Sequence, residues 1–211
     1  EDMIQPTLGI FTSIGSSHSQ NFSSVEDKID EKLKLFKNTD HIFVHSLIPL
    51  STTDDRFQIV ETKDFKGFIK HLSFEDETSA INASLIVACA LKLGISADQI
   101  KKRLKTIERV ALRLETFEGI NNSTIINDTY NLDLDAFRSS LEYQLSIAKG
   151  RNRVVVIGGD AENTALSKML EEFEPIEVHF CDPSNEEIIN FHNAVVLVKG
   201  KRSIQMERYA M

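Results

Sequence analysis

The spacing of apolar and polar residues divides the chain into a first part of mixed character and a second part with a regular rhythm. In the second part, short apolar runs of strand length alternate with stretches in which apolar residues recur every three or four positions. The runs predict strands over residues 124–126, 154–157, 177–180 and 194–198, and the longer stretches predict helices over residues 134–148, 163–173 and 185–191. This alternation is typical of an α/β fold with a mostly parallel sheet and helical crossovers.

The first part predicts fewer regular elements. Strands are expected over residues 7–14 and 41–44, and helices after Ser23 or Ser24, over residues 77–93, and from Ser96 onwards. The helix after Ser24 is expected to pack through Val25, Ile29, Leu33 and Phe36, with Lys28, Lys32, Lys34 and Lys37 forming a solvated basic face. Thr78 or Ser79 marks the start of the helix over 77–93, and Gly94 is its expected C-cap. Residues 47–70 predict a β-ribbon or an irregular connection. A boundary near residues 109–113 gives two domains, 1–109 and 110–211.

Composition narrows the class of partner. The net charge of −8 argues against a nucleic-acid partner held through phosphates. No apolar run approaches the roughly 20 residues of a membrane helix, and no signal peptide is recognised at Glu1-Asp2-Met3. Cys89 and Cys181 lie far apart, so no disulfide is expected, Cys89 is expected in the core, and the cytoplasm is the expected compartment.

A polar segment follows the apolar run 124–126. It consists of Asn127, Asp128, Thr129, Tyr130 and Asn131. In an open α/β sheet, ligands bind outside the carboxyl ends of the strands, so a carboxylate, amides and a phenol placed there form a candidate site. The alternative is an Asx-rich connection whose side chains bond their own backbone.

Two common nucleotide motifs are absent from the sequence: the Gly-x-x-x-x-Gly-Lys-Ser/Thr phosphate loop and the Gly-x-Gly-x-x-Gly fingerprint. Four other stretches, residues 8–18, 31–36, 127–131 and 198–207, have an order and spacing that together resemble the Mur ligases of cell-wall precursor synthesis. Asp-x-Tyr-Asn at 128–131 and Lys-Gly-x-Arg-x-x-x-Met-Glu at 199–207 most resemble the ligase that adds D-alanyl-D-alanine to UDP-N-acetylmuramoyl-tripeptide. Residues 130–135 are closer to the form fused to alanine racemase.

The resemblance implies part of a larger enzyme. It implies the later part of a central ATP-binding domain followed by a Rossmann-like C-terminal domain. It also implies amide formation driven by ATP with Mg²⁺, through an acyl phosphate. Because the phosphate loop is missing, this chain alone is expected to be inactive.

The resemblance also assigns roles to individual residues. His18 corresponds to a magnesium-binding histidine, and Lys32 to a lysine that becomes a metal-facing anion when carbamylated. The remaining assignments concern the nucleotide (Asn82, Arg113 and Asp128) and the substrates (Tyr130, Asn131, Asp160, Lys199 and Arg202).

Alternatives remain open both for the roles of single residues and for the function of the whole chain. His18 and Lys32 also fit ordinary surface residues, Asn82 fits a helix start, and Lys199 and Arg202 fit a structural salt bridge. The chain also fits a module that binds nucleotide or dipeptide without turnover, another Mur-type ligase, or a generic Rossmann-like domain with a different ligand.

Overall fold

Two separate sheets organise the chain, each built around strands that are apolar on both faces. The computed structural model describes residues 6–15, 19–158, 164–181 and 190–209. The chain divides into two compact units, Glu1–Glu108 and Arg109–Met211. Both units are mixed α/β with mostly parallel sheets, so the predicted fold class is confirmed.

The first unit contains a three-stranded parallel sheet in the order β1-β2-β3. Its elements are β1 Leu8–Phe11, α1 Val25–Leu33, β2 His41–His45, β3 Phe57–Val60, α2 Lys66–Ile69, α3 Glu77–Lys92 and α4 Ala97–Leu104. Strand β2 is the centre of this sheet, and Ile42, Phe43 and Val44 within it are fully buried. The central strand is therefore apolar on both faces, as expected for a strand covered on both sides.

Side-chain caps set where the helices begin. Ser24 accepts a hydrogen bond from Asp27 N at 3.1 Å, and Ser96 forms a reciprocal capping box with Gln99. Helix α3 begins at Glu77, next to the predicted Thr78 and Ser79, and its cap is Asp76, which accepts from Ser79 N at 2.8 Å. An Asp before Glu77 supplies the acceptor that the first helical amides need.

Two expectations for the first unit are wrong. Residues 57–60 form a parallel strand, not one arm of a ribbon, and residues 65–69 lie in a 3-10 turn and helix α2. Phe65 from the 3-10 turn and Phe68 from α2 pack into the core. A spacing of three residues is typical of one helix face, whereas in a strand it places side chains on opposite faces. Of the face predicted for α1, Ile29, Leu33 and Phe36 pack in the core, but Val25 is 48% exposed, and Lys28, predicted to be solvated, is only 4% exposed.

The second unit has a five-stranded sheet in the order β4-β5-β8-β6-β7, parallel except for β4. Its elements are β4 Glu115–Glu118, β5 Thr124–Asp128, α5 Leu134–Ala148, β6 Asn152–Gly158, α6 Thr164–Glu172, β7 Glu177–Cys181 and β8 Ala194–Lys199. The four predicted strands are present, whereas β4 was not anticipated. Of the helix predicted over 185–191, all but the last two residues lie outside the described part of the chain.

The two faces of this sheet are covered by different parts of the chain. Phe137 and Leu141 of α5 and Leu166 of α6 pack on one face. The other face is covered by the segment 200–209, whose Met206 is fully buried. A Cβ atom on Gly158 or on Gly200 would overlap with Met206, so both glycines make room for that side chain. This packing gives the Gly and Met of the 199–207 motif a structural reason.

Candidate functional site

The carboxyl ends of β5 and β8 form the point where the chain leaves the sheet toward opposite faces. After β5 it continues into α5 on one face, and after β8 it continues into residues 200–209 on the other. Adjacent strands with this arrangement create a topological switch point, where ligands bind in open α/β sheets. Asp128 and Lys199 are the last residues of these strands and are register partners.

Asp128 and Lys199 form a buried ion pair in which Lys199 Nζ donates to Asp128 Oδ2. Ser140 Oγ on α5 donates to the same oxygen at 2.5 Å, and Leu114 N donates to Oδ1 at 3.3 Å. Lys199 is completely buried, and this burial lowers the pKa of its ammonium while Asp128 opposes that effect. Both carboxylate oxygens of Asp128 therefore accept hydrogen bonds from within the protein. Lys199 forms a salt bridge, which is one of the two roles that the sequence left open for it.

The exposed part of the site is a stack of Arg113 on Tyr130. The Arg113 carbon Cζ lies 4.0 Å from the centroid of the Tyr130 ring, and the ring residue is 40% exposed. Leu112 and Leu114, on either side of Arg113, have left-handed backbones with φ of 63° and 51°. Such strain costs about 1–3 kcal/mol per residue and is often found at functional sites.

Hydrogen bonds hold this strained turn. Glu115 Oε2 accepts from Leu112 N at 3.2 Å, and Leu112 O accepts from Tyr130 N at 3.2 Å. Together with the bond from Leu114 N to Asp128, these contacts place the Arg113 backbone beside the end of β5. Arg113, which the resemblance assigns to the nucleotide, and Tyr130, which it assigns to the substrates, thus lie in contact.

The polar segment after residue 126 is more buried than expected. Strand β5 runs on to Asp128, and Asn127, Asp128 and Thr129 are all buried. Thr129 Oγ1 donates to Asn127 Oδ1 at 2.9 Å, and Asn127 Nδ2 donates to Glu115 Oε2 at 3.4 Å. The bonds of the first three residues run to one another's side chains and to other elements, which differs from a connection that bonds its own backbone. Tyr130 is exposed and Asn131 is half-buried.

The other predicted site residues are placed as follows. Lys32 is exposed in the last turn of α1. Asn82 is half-buried as the sixth residue of α3, inside the helix and not at its start. Arg202 begins a 3-10 helix, Arg202–Ile204, and its side chain is not among those described. His18 and Asp160 lie outside the described residues.

Lys28 is a residue that sequence reasoning placed wrongly on the solvated face of α1. It is 4% exposed, and its Nζ donates to Gly15 O at 2.5 Å and to Ser19 Oγ at 3.2 Å. Lys28 therefore bonds to both ends of the segment that carries the predicted magnesium-binding histidine. A lysine stem can be buried while its amine reaches oxygen acceptors, and residue type alone does not reveal which lysine does so. Ser140 was also missed, because a serine in the middle of a helix gives no signal.

A magnesium site is not evident in the described ranges, which contain no group of three or more His, Cys, Asp and Glu side chains able to hold a metal. No disulfide joins Cys89 and Cys181 in the described part of the chain; Cys181 is buried and Cys89 is half-buried. None of the helices in the described residues combines the length and the apolar character needed to cross a membrane.

Comparison with known proteins finds relatives in sequence and in fold. The chain is 29% identical over 164 residues to the UDP-N-acetylmuramoylalanine–D-glutamate ligase of Hydrogenobaculum sp., a match that covers 67% of this chain and 39% of the relative. Its fold resembles the crystal structure of MurF from Acinetobacter baumannii, with a TM-score of 0.73, 17% identity, and 97% of this chain and 59% of that chain covered. It also resembles MurF from Thermotoga maritima in complex with ADP, with a TM-score of 0.67, 17% identity, and coverage of 99% and 61%. No protein-family model matches the sequence.

The matches concern only part of those proteins. The chain spans about two fifths of the length of the curated relatives it matches, at 39% and 41% for the first two. The sequence of this chain is thus similar to that of a UDP-N-acetylmuramoylalanine–D-glutamate ligase, and its fold is similar to that of the two MurF structures.

Proposed function

We propose that this chain is part of an ATP-dependent Mur-type ligase that adds D-alanyl-D-alanine to UDP-N-acetylmuramoyl-tripeptide. The observation that supports this proposal is the meeting of two motifs at the switch point. Asp128 from the Asp-x-Tyr-Asn segment pairs with Lys199 from the Lys-Gly-x-Arg segment, although 71 residues separate them. On this proposal, the first unit is the later part of the central ATP-binding domain, and the second is the C-terminal Rossmann-like domain.

The exposed residues of the site suit a nucleotide. The guanidinium of Arg113 offers donors to phosphate oxygens, and its stacking on Tyr130 limits the number of conformations it can adopt. When bound, ATP would supply the phosphoryl group that activates a substrate carboxylate for attack by an amine. Tyr130 and Asn131 are placed to orient that amine by hydrogen bonds.

Asp128 has a different proposed role from the one that the motif suggested. Its two oxygens accept from Lys199, Ser140 and Leu114, so it does not have the free carboxylate that a ribose hydroxyl or an ammonium would require. We therefore assign it as a positioning residue that fixes Lys199 and the Arg113 turn. The roles of His18, Lys32, Asn82, Asp160 and Arg202, the use of Mg²⁺, the cytoplasmic location and the racemase fusion remain part of the proposal.

A second candidate is the addition of D-glutamate to UDP-N-acetylmuramoyl-alanine. The observation that favours it is that the curated sequence relatives carry this activity in their names. The motifs at 128–131 and 199–207 favour the dipeptide reaction instead. A module that binds nucleotide without turnover is the third candidate, favoured by the missing phosphate loop.

A substrate comparison separates these candidates. The longest natural form of the protein that contains this chain would be incubated with ATP and each acceptor–amine pair, and phosphate release and product mass would be measured. We expect product from the tripeptide with D-alanyl-D-alanine, and none from the chain of residues 1–211 alone. Product only with D-glutamate would assign the second reaction, and no product with any pair would favour the binding module.

The nucleotide role of Arg113 is tested in the same assay. Arg113→Ala is expected to raise KM for ATP about tenfold, which corresponds to ~1.4 kcal/mol of lost binding. Arg103→Ala, on an exposed position of α4, is the matched control and should leave KM unchanged. An unchanged KM in the Arg113 variant would remove the stack from the nucleotide site.

A further inference from the structure

An open cavity lies at the amino edge of the second sheet, opposite the switch point. It has a volume of about 780 Å³ and is formed by the ends of α5 and α6 and the beginnings of β6 and β7. Small-molecule sites in proteins typically have volumes of about 300–1,000 Å³. The cavity belongs entirely to the second unit and shares no residue with the candidate ligase site.

Arg153, the second residue of β6, lines this cavity and is only 9% exposed. Its Nη1 donates to Phe173 O at 2.7 Å. Its Nε and Nη2 are buried and have no hydrogen-bond partner in the described structure. Leaving buried donors of a charged group without acceptors is costly, so an acceptor that reached this covered edge of the guanidinium would be bound favourably.

Arg56 in the first unit is an example of a guanidinium whose Nε–Nη2 edge binds a carboxylate. Arg56 Nη1 donates to the main-chain oxygens of Phe36, Lys37 and Thr39. Its Nε and Nη2 donate hydrogen bonds to the Asp54 carboxylate at 3.0 Å and 2.7 Å. Arg153 repeats the first half of this arrangement, a main-chain carbonyl on Nη1, but has no carboxylate on the Nε–Nη2 edge. The fork geometry matches a planar carboxylate with two parallel bonds.

The acidic residues around the cavity are directed elsewhere. Glu172 pairs with Arg138 at 2.8 Å, and Glu177 pairs with His179 at 2.6 Å. Glu174 also lines the cavity, and the three carboxylates are balanced there by Lys149, Arg151 and Arg153. A balanced lining gives no net attraction for a multiply charged ligand such as phosphate. Leu145, Phe173 and Ile176 supply an apolar lining beside Arg153. The combination suits one negative charge on an apolar body.

We infer that this cavity binds a small monocarboxylate whose oxygens occupy the Nε–Nη2 edge of Arg153 and whose apolar part packs on Leu145 and Ile176. The ring of Phe173 lies 6.0 Å from Arg153 Cζ. Because both nitrogens are covered, a lining side chain shifts on binding, and Phe173 is the aromatic residue closest to the guanidinium among those described. The inference does not depend on the proposed ligase function.

The test uses the chain of residues 1–211 labelled with ¹⁵N, in which the side-chain Nε–H resonance of Arg153 is assigned from its loss in Arg153→Lys. Hexanoate is the probe, and inorganic phosphate and hexylamine are the comparisons. Hexanoate should shift the Arg153 resonance in a saturable way, and neither comparison ligand should do so. Arg153→Lys, followed like the parent through the backbone amide resonance of Phe173, should weaken hexanoate binding about tenfold or more, because lysine cannot form the planar fork.

Two further variants test the apolar contact of the ligand and the absence of an internal partner for Arg153. Ile176→Ala should weaken hexanoate more than acetate, since only hexanoate has an apolar body to lose contact. Glu174→Gln should leave the Arg153 resonance of the free protein in place. The inference fails if hexanoate gives no saturable shift, if phosphate binds equally well, or if Arg153→Lys binds hexanoate as the parent does. It also fails if Glu174→Gln moves the resonance of the free protein, because Glu174 would then be the internal partner of Arg153.

Discussion

A buried ammonium is stable only when something compensates for its lost hydration, and Lys199 is compensated by one carboxylate. Its side chain is fully buried at the end of β8, and Asp128 is the acid with which it pairs. Burial lowers the pKa of Lys199, whereas the charge and the hydrogen bond of Asp128 act in the opposite direction. Ser140 Oγ and Leu114 N donate further hydrogen bonds to Asp128. The pair is therefore a coupled unit, in which each charge depends on the other.

Removing one partner of this pair should cost more than removing both. Lys199→Met leaves the Asp128 carboxylate buried without its cation, and we expect a loss of about 3–5 kcal/mol in the free energy of unfolding. The double variant Asp128→Asn/Lys199→Met contains no buried charge at this position and should recover part of that loss. Urea denaturation of the three proteins measures the difference. A double variant less stable than Lys199→Met would contradict the coupling.

At the scale of elements, Arg56 ties the beginning of β3 to the segment between α1 and β2. Its guanidinium binds Asp54 beside it and three main-chain oxygens of residues 36–39. The hydrogen bonds from Arg56 lower the pKa of Asp54 below its ordinary value of 3.8. Arg56 thereby fixes the beginning of β3 against residues 36–39.

The lowered pKa of Asp54 predicts an acid-dependent contribution to stability. A carboxyl group whose folded pKa lies below its unfolded value contributes stability above the unfolded pKa and loses it as pH falls through the folded pKa. The parent should therefore lose unfolding free energy from about pH 3.8 downwards more steeply than Asp54→Asn does. Urea titrations at a series of acidic pH values measure both slopes. Identical slopes for the two proteins would exclude this contribution.

At the scale of the whole molecule, the two units have separate cores. The first unit has clusters around Ile42, Phe43 and Val87, and the second has one cluster on each face of its sheet. The second unit contains roughly 100 residues, a size at which single domains commonly fold alone. Its sheet has its own helices on one face and its own segment 200–209 on the other.

We therefore expect residues 109–211 to fold without the first unit. The isolated segment should show helix and strand signals by circular dichroism and a single cooperative transition in urea, because its core is complete within the segment. The matched comparison is residues 109–211 with Leu141→Ala, where a fully buried leucine is truncated and a loss of about 2–5 kcal/mol is expected. A gradual transition in the parent segment would show that its core needs the rest of the chain.

Local patterns predicted much of the molecule. The periodicity of residues 134–148 and the apolar runs at 154–157 and 194–198 were sufficient to place α5, β6 and β8. Short segments were less predictable: Phe65, Phe68 and Ile69 have the i, i+3, i+4 spacing of a helix, but five residues are too few for that spacing to decide. Strand β4, with its exposed Phe117, has only a weak apolar pattern and depends on pairing with β5.

The sequence by itself determined the alternating α/β character, the parallel strands and the polar segment at the end of β5, since these follow from the spacing of side chains along the chain. Only the tertiary structure decided that β8 inserts between β5 and β6, because strand order depends on packing between residues far apart in sequence. That insertion brings Lys199 to Asp128 and buries both, while Tyr130 and Arg113 stay exposed. Residue type shows which groups can carry charge, but burial decides which of them can meet a ligand, and burial is a property of the folded chain.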